Sequence, residues 1–326
     1  MTACLRARLC LLTRAALFIV APMILRDLLL FLSTQKHLRA WMETSPVAAR
    51  LTRRFVAGKT LEDALRVCRK LNNDRILVTL DHLGESVTSP AEAEACRDSY
   101  LEALEKIHEM GLKSTVSIKL SQFGLEISDE LCRANVEKVV RRAKEAGASV
   151  EIDMEASPTV DRTLAIVREM HARHGCVRGA LQAYLRRSEA DAEQLSRERV
   201  PVRLCKGAYK EPREVAFPEK RAVNRNYIRL SGMLLGEGFH PALATHDPKM
   251  IQAALRLARE RGLGADRFEF QMLYGIRRDL QEQLVANGFR LRLYVPYGSA
   301  WYPYFMRRLA ERPANVFFLL RNLFRH

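Results

Sequence analysis

The feature that most constrains this chain is an alternation that starts near residue 60 and repeats eight times. Short apolar runs recur at Ile76–Leu80, Ser114–Leu120, Ser149–Met154, Ala180–Tyr184, Val202–Lys206, Ala242–Thr245, Phe268–Leu273 and Leu291–Val295. Amphipathic stretches with helix punctuation lie between them. Thr60 stands as N-cap before Leu61-Glu62-Asp63, which starts a helix through Leu71. Ser128–Ala146 opens with Asp129-Glu130 and is followed by Gly147, and Pro248–Arg261 is followed by Gly262. Strands that each lead into a helix build a parallel sheet, because parallel neighbours need a long crossover. Eight such units match a closed (β/α)8 barrel. The alternative is an open doubly wound sheet, which usually has fewer units and a glycine-rich first turn. Here the first strand leads into Asp81-His82-Leu83-Gly84-Glu85, with no GxGxxG. The predicted fold is α/β. It is a (β/α)8 TIM-like barrel, distorted, over residues 60–326, with extra N-terminal helices in a basic, apolar segment over residues 1–59.

Composition supports this at two points. An apolar fraction of 48% over 326 residues is enough for a large core and argues against disorder. The net charge of +15 is concentrated at the ends. Residues 1–60 hold ten Lys and Arg against Asp27 and Glu43, and the residues after 300 hold five Arg against Glu311, which leaves +3 for the body. A basic start on a nearly balanced body suits a membrane-facing or partner-facing terminus. A nucleic-acid groove would need a basic stripe across the fold, so no nucleic-acid partner is expected. The apolar run Ala15–Leu25 is too short to span a bilayer, and Arg26-Asp27 interrupts it before Leu28–Leu32. No small-residue cleavage site follows, so a signal peptide is not expected. Packing inside the protein and contact with a membrane surface both remain open for this segment. The seven cysteines are scattered, odd in number and free of CxxC pairs, so no zinc site or disulfide framework is indicated. A reducing cytoplasm is the simplest compartment, with peripheral contact on the inner face of the cell membrane as an addition.

In such a barrel the active site lies at the C-terminal ends of the strands. The polar residues that end the runs are Lys119, Asp153 with Glu155, Gln182, Arg203 with Lys206, Thr245-His246-Asp247, Glu269 with Gln271, and Tyr294. One such residue is more often a helix cap or a layer-filling group. Polar groups at six or more successive strand ends describe one polar mouth, with cations at Lys119, Arg203 and Lys206 and an anion at Asp153. The last run enters YVPYGSAWYPYFMRRLAERPAN, residues 294–315. Pro303 suits the first turn of a helix there and Pro313 stops it. That helix holds Arg307 and Arg308, planar donors matched to a carboxylate or phosphate. A solvated face with Glu311 paired to Arg307 is the plainer reading of the pair alone. His171 and His174 sit three apart on a helix with no third ligand evident, so no metal is expected and both read as surface residues.

The motifs VSIKLSQFGL, VEIDME, LQAYLRR, VRLCKGAYKEP, ATHD, FEFQMLYG and YVPYGSAWYPYFMRRLAERPAN, in this order, resemble those of the proline dehydrogenase family, the FAD-dependent enzymes of proline catabolism. The resemblance covers residues 60–318 and is to the monofunctional form. It implies oxidation of L-proline to 1-pyrroline-5-carboxylate by hydride transfer from C5 to flavin N5, the first step of proline degradation to glutamate. It also implies reoxidation of the flavin by a membrane quinone. By the same resemblance Arg307, Arg308 and Lys119 bind the proline carboxylate. Tyr294 packs on the proline ring, Leu273 lines the pocket, and Asp153 orders its cations or pairs with Arg203. Arg203 approaches flavin N5 and Gln182 the pyrimidine edge. Lys206, Gly207 and Ala208 run along the FAD, and Thr245 and His246 lie near its ribityl–pyrophosphate–adenosine part. The last helix would act as a lid. Lys210 stands where bifunctional members carry a tryptophan. Two other classes are consistent with the residues alone. One is a Schiff-base lyase with Lys119 or Lys206 as nucleophile. The other is a charge-driven binder that makes no turnover.

Overall fold

The computed structural model describes residues 32, 35–45, 52–84 and 86–311. The apolar runs before residue 32, and everything after Glu311, lie outside the described residues. The chain divides into two compact units, residues 1–56 with 299–326 and residues 57–298.

The larger unit is a closed barrel of eight parallel strands in sequence order. The strands are β1 (Leu77–His82), β2 (Ser114–Ile118), β3 (Val150–Ile152), β4 (Val177–Gln182), β5 (Pro201–Cys205), β6 (Phe239–Ala244), β7 (Glu269–Leu273) and β8 (Leu291–Tyr297). β8 pairs with β1 through six residues, from Leu77 opposite Arg292 to His82 opposite Tyr297, and this closes the ring. One irregularity interrupts the register, between β5 and β6 at Pro201 and Arg203. The (β/α)8 expectation therefore holds. The strands differ from the apolar runs by one or two residues at most of their ends and by three at two of their starts. β4 begins at Val177 and β6 at Phe239, ahead of the apolar stretches, because inward positions of these strands carry polar residues that a hydrophobic reading passes over.

The first helix among the described residues, α1 (Lys36–Thr44), belongs to the smaller unit. In the larger unit come α2 (Leu61–Asn73), α3 (Pro90–Glu109), α4 (Asp129–Glu145), α5 (Val160–His174), α6 (Ser188–Arg197), α7 (Lys220–Glu237), α8 (Pro248–Glu260) and α9 (Arg278–Ala286). The start signals read from sequence are made as hydrogen bonds. Thr60 caps α2 in a reciprocal box with Asp63, Ser128 caps α4, and Asp247 caps α8 with Pro248 at its first position. Gly147 and Gly262 stop the chain after α4 and α8 at φ 67° and 64°, where a Cβ would be strained.

The hydrophobic core lies between strands and helices. The outward strand residues Val78, Leu80, Val116, Ile118, Val150, Ile152, Leu204, Leu243, Phe270, Leu293 and Val295 are buried there. They meet Leu65 and Leu71 of α2, Leu104 and Ile107 of α3, Val136 and Val140 of α4, and their counterparts on later helices. Burying each such side chain stabilises the fold by about 1.5–3 kcal/mol. In the smaller unit α10 (Trp301–Glu311) buries Trp301, Tyr302 and Phe305. Phe305 packs on Phe55 with ring centroids 5.9 Å apart, and the Tyr302 hydroxyl donates to the Leu32 carbonyl at 2.7 Å. Among the described residues no helix is long and apolar enough to cross a membrane.

Candidate active site

Side chains alternate across a strand, so once the apolar set faces the helices the other set must face the barrel axis. Here that second set is polar, where a barrel of this kind is usually filled with branched aliphatics. Low in the barrel, at the strand starts, Glu269 pairs with Arg178 and takes Arg292 Nε at 2.9 Å. Arg292 Nη1 also donates to the Val78 carbonyl at 2.9 Å. One layer up, Glu151 accepts from Arg178 at 3.1 Å, Gln271 Nε2 at 2.8 Å and Arg203 Nη1 at 2.8 Å. At the C-terminal mouth Arg203 pairs also with Asp153. Lys119 Nζ lies 3.0 Å from Asp153 Oδ2 and 2.8 Å from Asp81 Oδ1. Tyr294 accepts from Lys119 at 3.1 Å and donates to Asp153 Oδ2 at 2.9 Å, and the Ser117 hydroxyl donates to Asp153 Oδ1 at 2.7 Å. Four carboxylates and four cations thus run up the axis in contact.

Lys119, Asp153 and Tyr294 are each held in one protonation state by their neighbours. Burial works against the Lys119 ammonium, but Asp81, Tyr294 and Asp153 hold its pKa well above the usual lysine value. Burial likewise opposes the Asp153 carboxylate, and Lys119, Arg203 and the Ser117 hydroxyl still hold it below the usual range. Burial and then the two aspartates push the Tyr294 phenol well above 10, so it stays a donor. A Schiff-base nucleophile must be an uncharged amine at neutral pH. Lys119 is driven the other way, and Lys206 is salt-bridged to Asp247 at 2.9 Å.

The structure brings Lys119, Asp153, Arg203 and Tyr294 into direct contact. Gln182 is buried at the end of β4 and donates Nε2 to the Glu155 carbonyl at 2.8 Å, which leaves Oε1 as its accepting group. Lys206 is further held by Asn224 Oδ1 at 2.7 Å. Gly207 has φ 107°, and a Cβ there would lie 2.2 Å from Tyr184 Cδ1; Ala208 follows on the exposed side of the same turn. Thr245 is buried and accepts from the Asp247 amide at 3.1 Å. His246 Nε2 accepts from the Leu273 amide at 2.8 Å, so a neutral imidazole carries its proton on Nδ1. The side chains of Arg307, Arg308 and Glu311 lie outside the described residues, as does the expected pairing of Arg307 with Glu311.

Two expectations are corrected. Glu269 is not at the mouth: it opens β7 at the opposite end, because the inward set runs the whole length of each strand. His171 and His174 are half-buried, not surface residues. His171 Nδ1 lies 2.8 Å from the Val177 carbonyl, and His174 Nε2 lies 3.5 Å from Glu137. Among the described residues no cluster of ligands could hold a metal. Asp81, Ser117 and Glu151 were missed by sequence reasoning. Their signal is the polar phase of LVTLDH, STVSI and VEI, with Ser117 two residues before Lys119 and Glu151 two before Asp153.

With this geometry in view, comparison with known proteins gives one answer. The family described as proline dehydrogenase matches residues 64–321. The chain belongs to the proline dehydrogenase family. Proline dehydrogenase 2 of Bacillus subtilis (strain 168) is 41% identical over 305 residues, covering 92% of this chain and 99% of that one. The proline dehydrogenase of Deinococcus radiodurans is 43% identical over 280 residues, covering 84% and 90%. Among solved structures, proline utilization A from Bdellovibrio bacteriovorus, inactivated by N-propargylglycine, superposes with a TM-score of 0.76 at 26% identity. That match covers 81% of this chain and 33% of the other, so the chain spans about a third of that protein. This proline dehydrogenase relative is therefore an oxidoreductase acting on a CH–NH donor.

Proposed function

We propose that the chain oxidises L-proline to 1-pyrroline-5-carboxylate at the C-terminal mouth of the barrel, with FAD as cofactor. The observation that carries this reading is Arg203 Nε, a buried N–H with no acceptor among the described residues. Both Nη groups of Arg203 are taken by carboxylates, so the orphan donor calls for a ligand acceptor, and the flavin ring edge offers one. The donor set around it fits FAD. Gln182 offers an amide oxygen to the ring's N–H edge. Lys206, Gly207, Ala208, Thr245 and His246 would hold the ribityl and phosphate parts. Bound there, FAD would supply at N5 an acceptor for the hydride of proline C5, with a quinone as the eventual oxidant.

The chain's own residues bind and orient the substrate. Lys119 stays an ammonium and would neutralise the proline carboxylate, and resemblance to the family gives a carboxylate-binding role to Arg307 and Arg308 as well. Asp153 and Asp81 fix Lys119 in place. The Tyr294 ring and Leu273 would wall the pyrrolidine ring. Lys119, Asp153, Arg203 and Tyr294 are each locked in one state near neutral pH, so none serves as a base. Proline must therefore bind with its amine deprotonated or lose that proton to solvent. The basic, apolar residues 1–59 would dock the protein on an anionic membrane face, where quinone is available.

Arg308→Met tests the carboxylate role. Losing one charge-assisted bond costs about 1.5–3 kcal/mol, so proline KM should rise roughly 10–100-fold with FAD content unchanged. Unchanged KM and kcat would remove Arg308 from the site.

A further inference from the structure

Arg203 is 5% exposed and Glu151 1% exposed, so their charges meet with little solvent screening. Glu151 Oε2 takes Arg203 Nη1 at 2.8 Å, while its Oε1 is shared by Arg178 Nη1 at 3.1 Å and Gln271 Nε2 at 2.8 Å. Arg178 in turn pairs with Glu269, which Arg292 holds from the other side. The negative charge of Glu151 is thus divided between a cation above, at the mouth, and a cation below that touches nothing at the mouth. Two residues on, just past the end of β3, Asp153 takes the other Nη of Arg203.

We propose that Glu151 is a positioning residue that sets how much of the Arg203 charge reaches the flavin, with Arg178 as the counterweight beneath it. This rests on the placement of Arg203 beside the flavin. Glu151 and Asp153 clamp the guanidinium by its two Nη groups and leave Nε without a partner among the described residues. They also offset its charge. Reduced flavin carries more electron density than oxidised flavin, so a less offset Arg203 favours reduction and a more offset one opposes it. Removing charge from Glu151 and from Arg178 should therefore move the flavin potential in opposite directions. Two residues that only pack the barrel would not do this. Both losses would weaken FAD retention and thermal stability alike.

The test is an equilibrium redox titration of bound FAD in the full-length holoenzyme, for wild type, Glu151→Gln and Arg178→Gln. Glu151→Gln should raise the two-electron reduction constant about tenfold, which is about 30 mV. Arg178→Gln should lower it by a similar factor. Shifts of the same sign, or no shift in flavin-loaded protein, would overturn the proposal. If Glu151→Gln fails to retain FAD, Arg178→Gln decides alone: a fall supports the proposal, and a rise or no change overturns it. Arg203→Met separates the two levels. If its potential matches wild type, Arg203 is not beside the flavin and the underlying placement is wrong. If Arg203→Met shifts the potential and the other two variants do not, only the role of Glu151 is wrong.

Discussion

Lys119→Met removes one ammonium that three groups share, at 2.8 Å from Asp81, 3.0 Å from Asp153 and 3.1 Å from the Tyr294 hydroxyl. Asp153 keeps Arg203, Ser117 and Tyr294. Asp81 is 1% exposed, and Lys119 is its ion-pair partner among the described residues. The variant thus strands a buried carboxylate, a change that costs about 3–5 kcal/mol. For a barrel of this size each kcal/mol moves Tm by roughly 2–4 °C, so a fall of about 10 °C is expected at neutral pH. The pH dependence is specific. The folded pKa of wild-type Lys119 is raised, so its stabilisation is fully present below the unfolded lysine value of about 10.4 and is lost only above that. The deficit against wild type should therefore be present in full at neutral pH and shrink only above about pH 10.4, where wild-type Lys119 loses its own contribution. Thermal melts of FAD-free and FAD-loaded protein from neutral pH upward measure it. A variant that melts with wild type at neutral pH, or a deficit that does not shrink above about pH 10.4, would refute the buried-pair account.

Two further outcomes follow from the same network and its surroundings. Burial opposes the Glu269 carboxylate, but Arg292 and Arg178 hold its pKa below the usual range. Its stabilisation, like that of Asp153, is therefore present above the unfolded value of about 4 and lost as pH falls below it. The urea midpoint should drop steeply between about pH 5 and pH 3, and the drop should be shallower in Glu269→Gln; equal slopes would contradict the role of Glu269. Gly207→Ala places a Cβ 2.2 Å from Tyr184 Cδ1 at φ 107°. Strain of about 1–3 kcal/mol should displace the turn and weaken FAD binding by roughly tenfold or more, read from FAD dissociation. Unchanged retention would show that the cofactor does not use this turn.

The barrel was legible because eight apolar runs and their helix punctuation are local signals, and Thr60 makes the cap expected of it, while Ser128 and Asp247 cap two further helices. Much of the mouth was legible because Lys119 and Asp153 directly follow β2 and β3, and Arg203 and Tyr294 are polar groups set in otherwise apolar runs. The interior was not. Whether Glu151 or Glu269 faces the axis, and at which level, depends on strand tilt and register, which a linear pattern does not carry. The linear pattern consequently places Glu269 with the mouth residues, although Phe270 beside it packs outward in the core. Glu151 was passed over because it sits inside an apolar run instead of at its end. Asp81 was read as part of a turn, yet it pairs with Pro296 of β8 as a strand residue and reaches Lys119 across the barrel.

The most direct test of the central claim is anaerobic titration of the purified holoenzyme with L-proline. The protein should purify yellow or take up added FAD. One equivalent of proline per flavin should bleach the oxidised-flavin absorbance and release one equivalent of 1-pyrroline-5-carboxylate. A protein that stays colourless and inactive after FAD is added, or a bound flavin that proline leaves oxidised, would contradict it.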